Sequence, residues 1–220
     1  MKFKNTSFSI GSLSCAIVAG LLTVVSDASA QSAGMGWYGG LNAGQSRSDI
    51  DTARVRDALT AAKLASTLTS DNRDTGYKLF AGYKVNRNFA IEGGYFDLGR
   101  FSFAATTVPA GTLAGSIKLS GWNLDGVGIL PVSDKFSLLA RLGAQYAEAR
   151  DSLSASGAVA VTNPSPRKRA TNYKAGLGAQ YDFTPSIGMR AEAERYRVND
   201  GLGGRADVDL ISLGLVFKFQ

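Results

Sequence analysis

The stretch MRAEAERYRV, residues 189–198, sets three charges on alternate positions, Arg190, Glu192 and Glu194. Carboxylates beside a guanidinium offer two kinds of chemistry: acid–base work on a substrate, or mutual neutralisation. What the chain lacks narrows the choice. It has no histidine, the side chain whose unperturbed pKa lies near neutrality. Its single cysteine, Cys15, lies near the amino terminus. No His-based nucleophile pair and no soft metal site can be assembled, and lysines beside glutamates are better explained as ion pairs than as a Ser–Lys or carboxylate centre. The expectation is a protein without catalysis, cofactor or metal.

The elements that carry such charges come next. Alanine, glutamate and arginine favour helix by propensity, whereas charges spaced by two favour strand. Met189, Ala191, Ala193 and Val198 follow no 3.6-residue period, so no apolar stripe supports a helix. Among 220 residues, 45% are apolar and 19% charged, which excludes a largely disordered chain. The 26 glycines and 10% aromatics lean towards β structure.

The first thirty residues read as an export signal. Lys2 and Lys4 precede an apolar stretch from Phe8 to Val25 that closes on Ala28-Ser29-Ala30, a charged n-region, an h-region and an A-x-A cleavage site. Cleavage after Ala30 removes Cys15 and leaves residues 31–220 as one domain. Lys2, Lys4 and Asp27 leave with it, so the formal charge falls from +6 to +5. In an exported protein that excess points away from nucleic acid and towards the phosphates of surface glycolipid.

After the signal no run approaches the ~18 apolar residues of a membrane helix. Instead, segments of about ten residues alternate with period two: 36–47, 75–85, 88–98, 116–130, 135–148, 171–183, 186–198 and 206–219. Asn86-Arg87, Pro131 to Asp134 and Thr184-Pro185 make short turns. The connections between these turns are longer, about 27, 17 and 22 residues for the first three. Short turns on one side and long connections on the other fit an all-β, eight-stranded antiparallel up-and-down transmembrane β-barrel.

Each strand has one apolar face with aromatics near its ends: Tyr77, Leu79, Ala81 and Tyr83; Tyr173, Ala175, Leu177, Ala179 and Tyr181; Ile211, Leu213, Leu215, Phe217 and Phe219. An eight-stranded interior is only just wide enough for side chains, so the bulky faces point to lipid and the charged, glycine-rich faces point inward. Closure follows, because an open sheet edge in lipid leaves backbone groups unpaired. The inward charges then number six cations, Lys78, Lys84, Arg141, Lys174, Arg190 and Lys218, against five anions, Glu92, Asp125, Asp182, Glu192 and Glu194. Near-balance predicts a polar and ionic lumen network, with Glu92, Asp125, Arg141, Lys174, Arg190 and Glu192 as members, rather than a wide aqueous pore.

Three stretches, YKLFAGYKVNRNFAIEGGYFDLGRF (77–101), MRAEAERYRVNDGLGGRADVDLISLGLVFKF (189–219) and GWYGGLNAG (36–44), resemble the OmpA-like family of eight-stranded outer-membrane barrels. The resemblance covers nearly all of residues 31–220. It implies a Gram-negative outer-membrane location and a structural role, with narrow pores and adhesins as the family's other forms. It also implies that Glu92, Arg190 and Glu192 lie in the lumen. Residues 213–219 resemble the carboxy-terminal signal read by the barrel-assembly machinery, carried by Gly214, Phe217 and Phe219, although Gln220 follows the final aromatic. The chain is expected to lack the family's peptidoglycan-binding domain and with it a cell-wall tether, and the protein is expected to be a monomer.

Two loop stretches carry further expectations. Residues 51–66 place Val55, Leu59 and Ala62 on one helical face behind Asp51 as a cap, predicting a short helix across the barrel mouth. Arg167, Lys168 and Arg169, in a Pro-containing loop at the outer rim, are candidates for lipopolysaccharide phosphates. The sequence supports a structural outer-membrane barrel first, a narrow ion pore gated by lumen salt bridges second, and a loop-borne adhesin third.

Overall fold

The computed structural model describes residues 35–48, 57, 60–61, 65–108, 111–157, 165, 167–199 and 205–219. The candidate signal at 1–30 lies outside the described residues. Nine strand segments run β1 (Gly36–Ser48), β2 (Ala65–Asp71), β3 (Arg73–Lys84), β4 (Phe89–Val108), β5 (Gly111–Pro131), β6 (Phe136–Gly157), β7 (Arg167–Asp182), β8 (Ile187–Asn199) and β9 (Arg205–Phe219). Both β2 and β3 pair antiparallel with β4 on either side of Asn72, so they are one barrel strand with a single break. Each strand then pairs with its sequence neighbours and β9 returns to β1, closing an eight-stranded antiparallel up-and-down barrel.

Alternation decides the two faces. Leu177, Ile211, Leu213 and Leu79 stand on the outside and are more than half exposed, while Lys78, Glu92, Lys174 and Arg190 on the opposite face are buried. This is the reverse of a water-soluble barrel and is what lipid on the outside requires. Aromatics end the apolar band on both sides. Trp37 meets Tyr83 (5.2 Å between ring centroids) near the short turns, and Tyr95 meets Trp122 (5.2 Å) towards the long connections.

The strands outrun the sequence expectation. Segments read as 88–98, 116–130 and 135–148 extend to 20, 21 and 22 residues in β4, β5 and β6, about twice the length needed to cross a bilayer. The connections expected at 99–115 and 149–170 are therefore largely strand. Outside lipid nothing demands an apolar face, so Ser- and Thr-rich pairs such as Thr106↔Thr112 and Thr112↔Ser156 continue the ladder without an apolar signature. Within the helix expected at 51–66, Asp57 and Thr60 are helical, as is Ala61; Ala65 and Ser66 instead begin β2. Val55, Leu59 and Ala62 lie outside the described residues.

A register shift between Asp97 and Arg100 puts one extra residue into β4. Gly99 takes φ of 83° there, a left-handed conformation that side chains with a Cβ disfavour. Asp97 Oδ1 accepts from the Gly99 amide at 2.9 Å and Asp74 Oδ2 accepts from the Arg100 amide at 2.5 Å, which fixes the bulge. Its consequence is a change of parity: Phe96 and Leu98 face inward before it, Phe101 and Ala105 after it.

Candidate functional site

The inward face brings together residues up to 170 positions apart. Arg141, on β6, is the hub. Its guanidinium lies 3.0 Å from Glu92 on β4, 3.3 Å from Asp125 on β5 and 3.4 Å from Glu194 on β8, and it contacts Glu192. Lys174 on β7 bridges Asp125 (2.9 Å) and Glu194 (2.7 Å). Lys78 on β3 pairs with Glu192 and, at 3.0 Å, with Glu194. Arg190 on β8 reaches across the lumen to Glu92 at 2.6 Å.

Four cations thus face four carboxylates, with ionic side chains 0–3% exposed. Neutral donors complete the shell. Tyr38 Oη donates to Glu92 at 2.7 Å, Asn42 Nδ2 to Glu192 at 2.8 Å, Asn123 Nδ2 to Asp125 at 2.9 Å and Tyr196 Oη to Glu194 at 3.1 Å. Taking eight charges out of water is costly, and only mutual compensation makes the layer tolerable. Each of the four carboxylates is engaged by at least one cation, while Glu92 Oε2 and Asp125 Oδ1 accept no hydrogen bond.

All six residues expected in the network, Glu92, Asp125, Arg141, Lys174, Arg190 and Glu192, lie in this layer. Lys78 and Glu194, read only as inward charges, are full members. Lys218 and Asp182 pair instead near the short turns, apart from the layer. Tyr38, Asn42, Asn123 and Tyr196 carried no signal, because a lone polar residue on an inward face gives no hint of its partner on a distant strand.

The lumen is not polar throughout. Towards the short turns the ionic layer abuts a buried apolar cluster that includes Tyr38, Phe80, Ala90, Val127, Leu139 and Val216. Towards the long connections it abuts a second, larger cluster in which Phe96, Leu98, Phe101, Leu119, Tyr196 and Leu210 pack together. The Arg190 guanidinium stacks 4.7 Å from the Phe80 ring centre and the Lys174 ammonium 4.8 Å from that of Tyr196, tying the charges to both plugs. The low-dielectric surroundings on each side strengthen the ion pairs.

Glycines on the inner face leave room for this packing. A Cβ at Gly143 would fall 2.1 Å from Asp125 Oδ1 and 2.3 Å from the Leu124 carbonyl oxygen, whereas one at the outer-face Gly126 would meet nothing nearer than 3.8 Å. Gly143→Ala is therefore expected to lower unfolding free energy by about 1–3 kcal/mol. Gly126→Ala should be near neutral. The urea midpoint of the refolded barrel measures both.

At the outer rim the expected cationic loop is the start of β7, so its residues alternate. Arg167 and Arg169 are exposed, while Lys168 lies on the opposite face and is half-buried. Glu148 accepts from Arg150 at 2.5 Å and from Arg169 at 2.7 Å. Gly214, Phe217 and Phe219 lie on β9, the two aromatics facing outward. A Cβ at Gly214 would fall 2.0 Å from the Leu41 carbonyl oxygen.

A family model described as the OmpA-like transmembrane domain matches residues 32–220. Outer membrane protein A of Shigella flexneri is 29% identical over 151 residues, covering 66% of this chain and 40% of that protein, so the chain spans about two fifths of the relative's length. Among solved structures, Neisserial surface protein A superposes with a TM-score of 0.56 at 12% identity, covering 84% of this chain and 99% of the other. That likeness is one of fold.

Proposed function

This chain belongs to the OmpA-like transmembrane domain family of the Gram-negative outer membrane, and on that premise we propose that it is a structural barrel supporting envelope integrity. The observation that carries the proposal is the packing of the inward face: a neutral layer of eight buried charges between two apolar clusters. A bore filled this way offers rigidity rather than transport. The ionic side chains are committed to one another, which also argues against catalysis.

In this reading residues 1–30 direct export and are removed, and residues 31–220 are the barrel. The assembly machinery recognises β9 through Gly214, Phe217 and Phe219, and the product is a monomer in contact with lipopolysaccharide. Contacts made above the membrane are a second reading, favoured by the extended β4, β5 and β6. Deletion of the gene, followed by complementation, separates the two. A variant with residues 102–116 shortened to a tight turn should restore detergent resistance as well as the full chain does. Restoration that requires the extended strands would instead assign the role to surface contacts.

A further inference from the structure

The pairing register assembles on the outer face a row of cations that are scattered in the sequence. Arg100 on β4 stands opposite Lys118 on β5, Lys118 opposite Arg150 on β6, and Arg150 opposite Arg167 on β7. Like charges directly opposed across strands are destabilising, and at ~4.8 Å per strand the four span about 14 Å. The row beneath relieves only part of this. Asp97 pairs with Lys118 at 3.0 Å, and Glu148 is shared between Arg150 and Arg169. Five cations therefore face three carboxylates, the third being Asp71, which lines the same surface hollow as Arg100, and Arg150 and Arg169 remain more than half exposed.

Height identifies the ligand. On β5 the aromatic belt is at Trp122, four residues from Lys118, and on β6 at Tyr146, four residues from Arg150. Four residues are about 13 Å of strand, roughly 10 Å of height at the usual 35–45° tilt. That is the headgroup level of the outer leaflet, on the lipid-facing side. The β8–β9 side differs, because two cations described there each have their own carboxylate: Arg195 chelates Asp209 at 2.6 and 2.7 Å, and Arg197 lies 3.5 Å from Asp207.

We propose that Arg100, Lys118, Arg150 and Arg167 form a one-sided site for the clustered phosphates of an outer-leaflet glycolipid, with the β8–β9 side left without one. The proposal rests on the outer-membrane reading and deepens its lipopolysaccharide contact. A headgroup carrying two phosphates about a sugar dimer apart matches the row, whereas a single phosphodiester engages only one or two of its guanidiniums.

Native mass spectrometry of the refolded protein in neutral detergent tests it, with bisphosphorylated lipid A as the probe and the heat-dependent gel shift verifying each variant as folded. The wild type is expected to retain lipid A. The triple variant Arg100→Gln, Arg150→Gln and Arg167→Gln should bind about tenfold more weakly or worse, with a shallower salt dependence. Arg195→Gln with Arg197→Gln should bind as the wild type does. The proposal is overturned if the triple variant binds unchanged, if the β8–β9 variant loses as much, or if phosphatidylglycerol binds equally well. It is likewise overturned if inorganic pyrophosphate displaces lipid A at equal concentration, which would make the row a free-anion site. Absence of lipid A binding by a folded wild type would remove the glycolipid site while leaving the structural role standing.

Discussion

Arg141→Ala is expected to cost about 3–5 kcal/mol of unfolding free energy, the range seen when one partner of a buried ion pair is removed. The reason is the sharing of this guanidinium among Glu92, Asp125, Glu192 and Glu194. Without it four buried carboxylates face three cations, and the apolar clusters on both sides keep water from compensating. Chemical denaturation in lipid vesicles, followed by tryptophan fluorescence or by the gel shift, measures the loss. Combining Arg141→Met with Glu192→Gln should recover part of it, because the double change restores neutrality. A loss below about 1 kcal/mol, the scale of an exposed pair, would mean that the layer is solvated.

Leu213→Arg should cost about 2–4 kcal/mol by setting an arginine in the lipid-facing band. Leu213 is 53% exposed on the outer face and pairs with Ala43 and Ala191 at the height of the ionic layer. Its neighbour Ser212 faces the lumen and is 5% exposed. Ser212→Ala removes only a long contact from Asn42 (3.4 Å) and should cost no more than about 1 kcal/mol. The two substitutions, one residue apart, report which face meets lipid.

The ionic layer also bears on why the barrel has one register. A one-residue slip turns every side chain to the opposite face. If both faces were apolar, lipid would accept either. With Lys78, Glu92, Arg141, Lys174, Arg190 and Glu192 on one face of their strands, a slipped strand carries charge into lipid and strips its partners of theirs.

Much of this was legible in the sequence because period two is a local property. The sides taken by Tyr77, Leu79, Lys78, Arg190 and Glu192 follow from alternation alone. Closure follows from the need to pair every strand edge in lipid. Three features were not legible. The bulge at Gly99 changes parity within β4, so the inward course of Phe101 depends on one backbone conformation. The apolar plugs went unseen because inward charges draw the eye, while Leu139, Leu119 and Phe96 make sense only once the strands around the bore are assembled. The length of β4, β5 and β6 was hidden because Ser- and Thr-rich strands beyond the bilayer carry no amphipathic signature. For the same reason Arg167, Lys168 and Arg169 read as a loop patch, when strand alternation divides them between two faces.

Planar-bilayer conductance of the refolded protein tests the closed bore most directly. The wild type should show no steady openings at voltages that leave the barrel folded, and neither should Arg190→Ala or Glu92→Ala, because the two apolar clusters remain in place. Steady ion-conducting levels in the wild type, altered by either substitution, would contradict the structural account and make the salt bridges a gate.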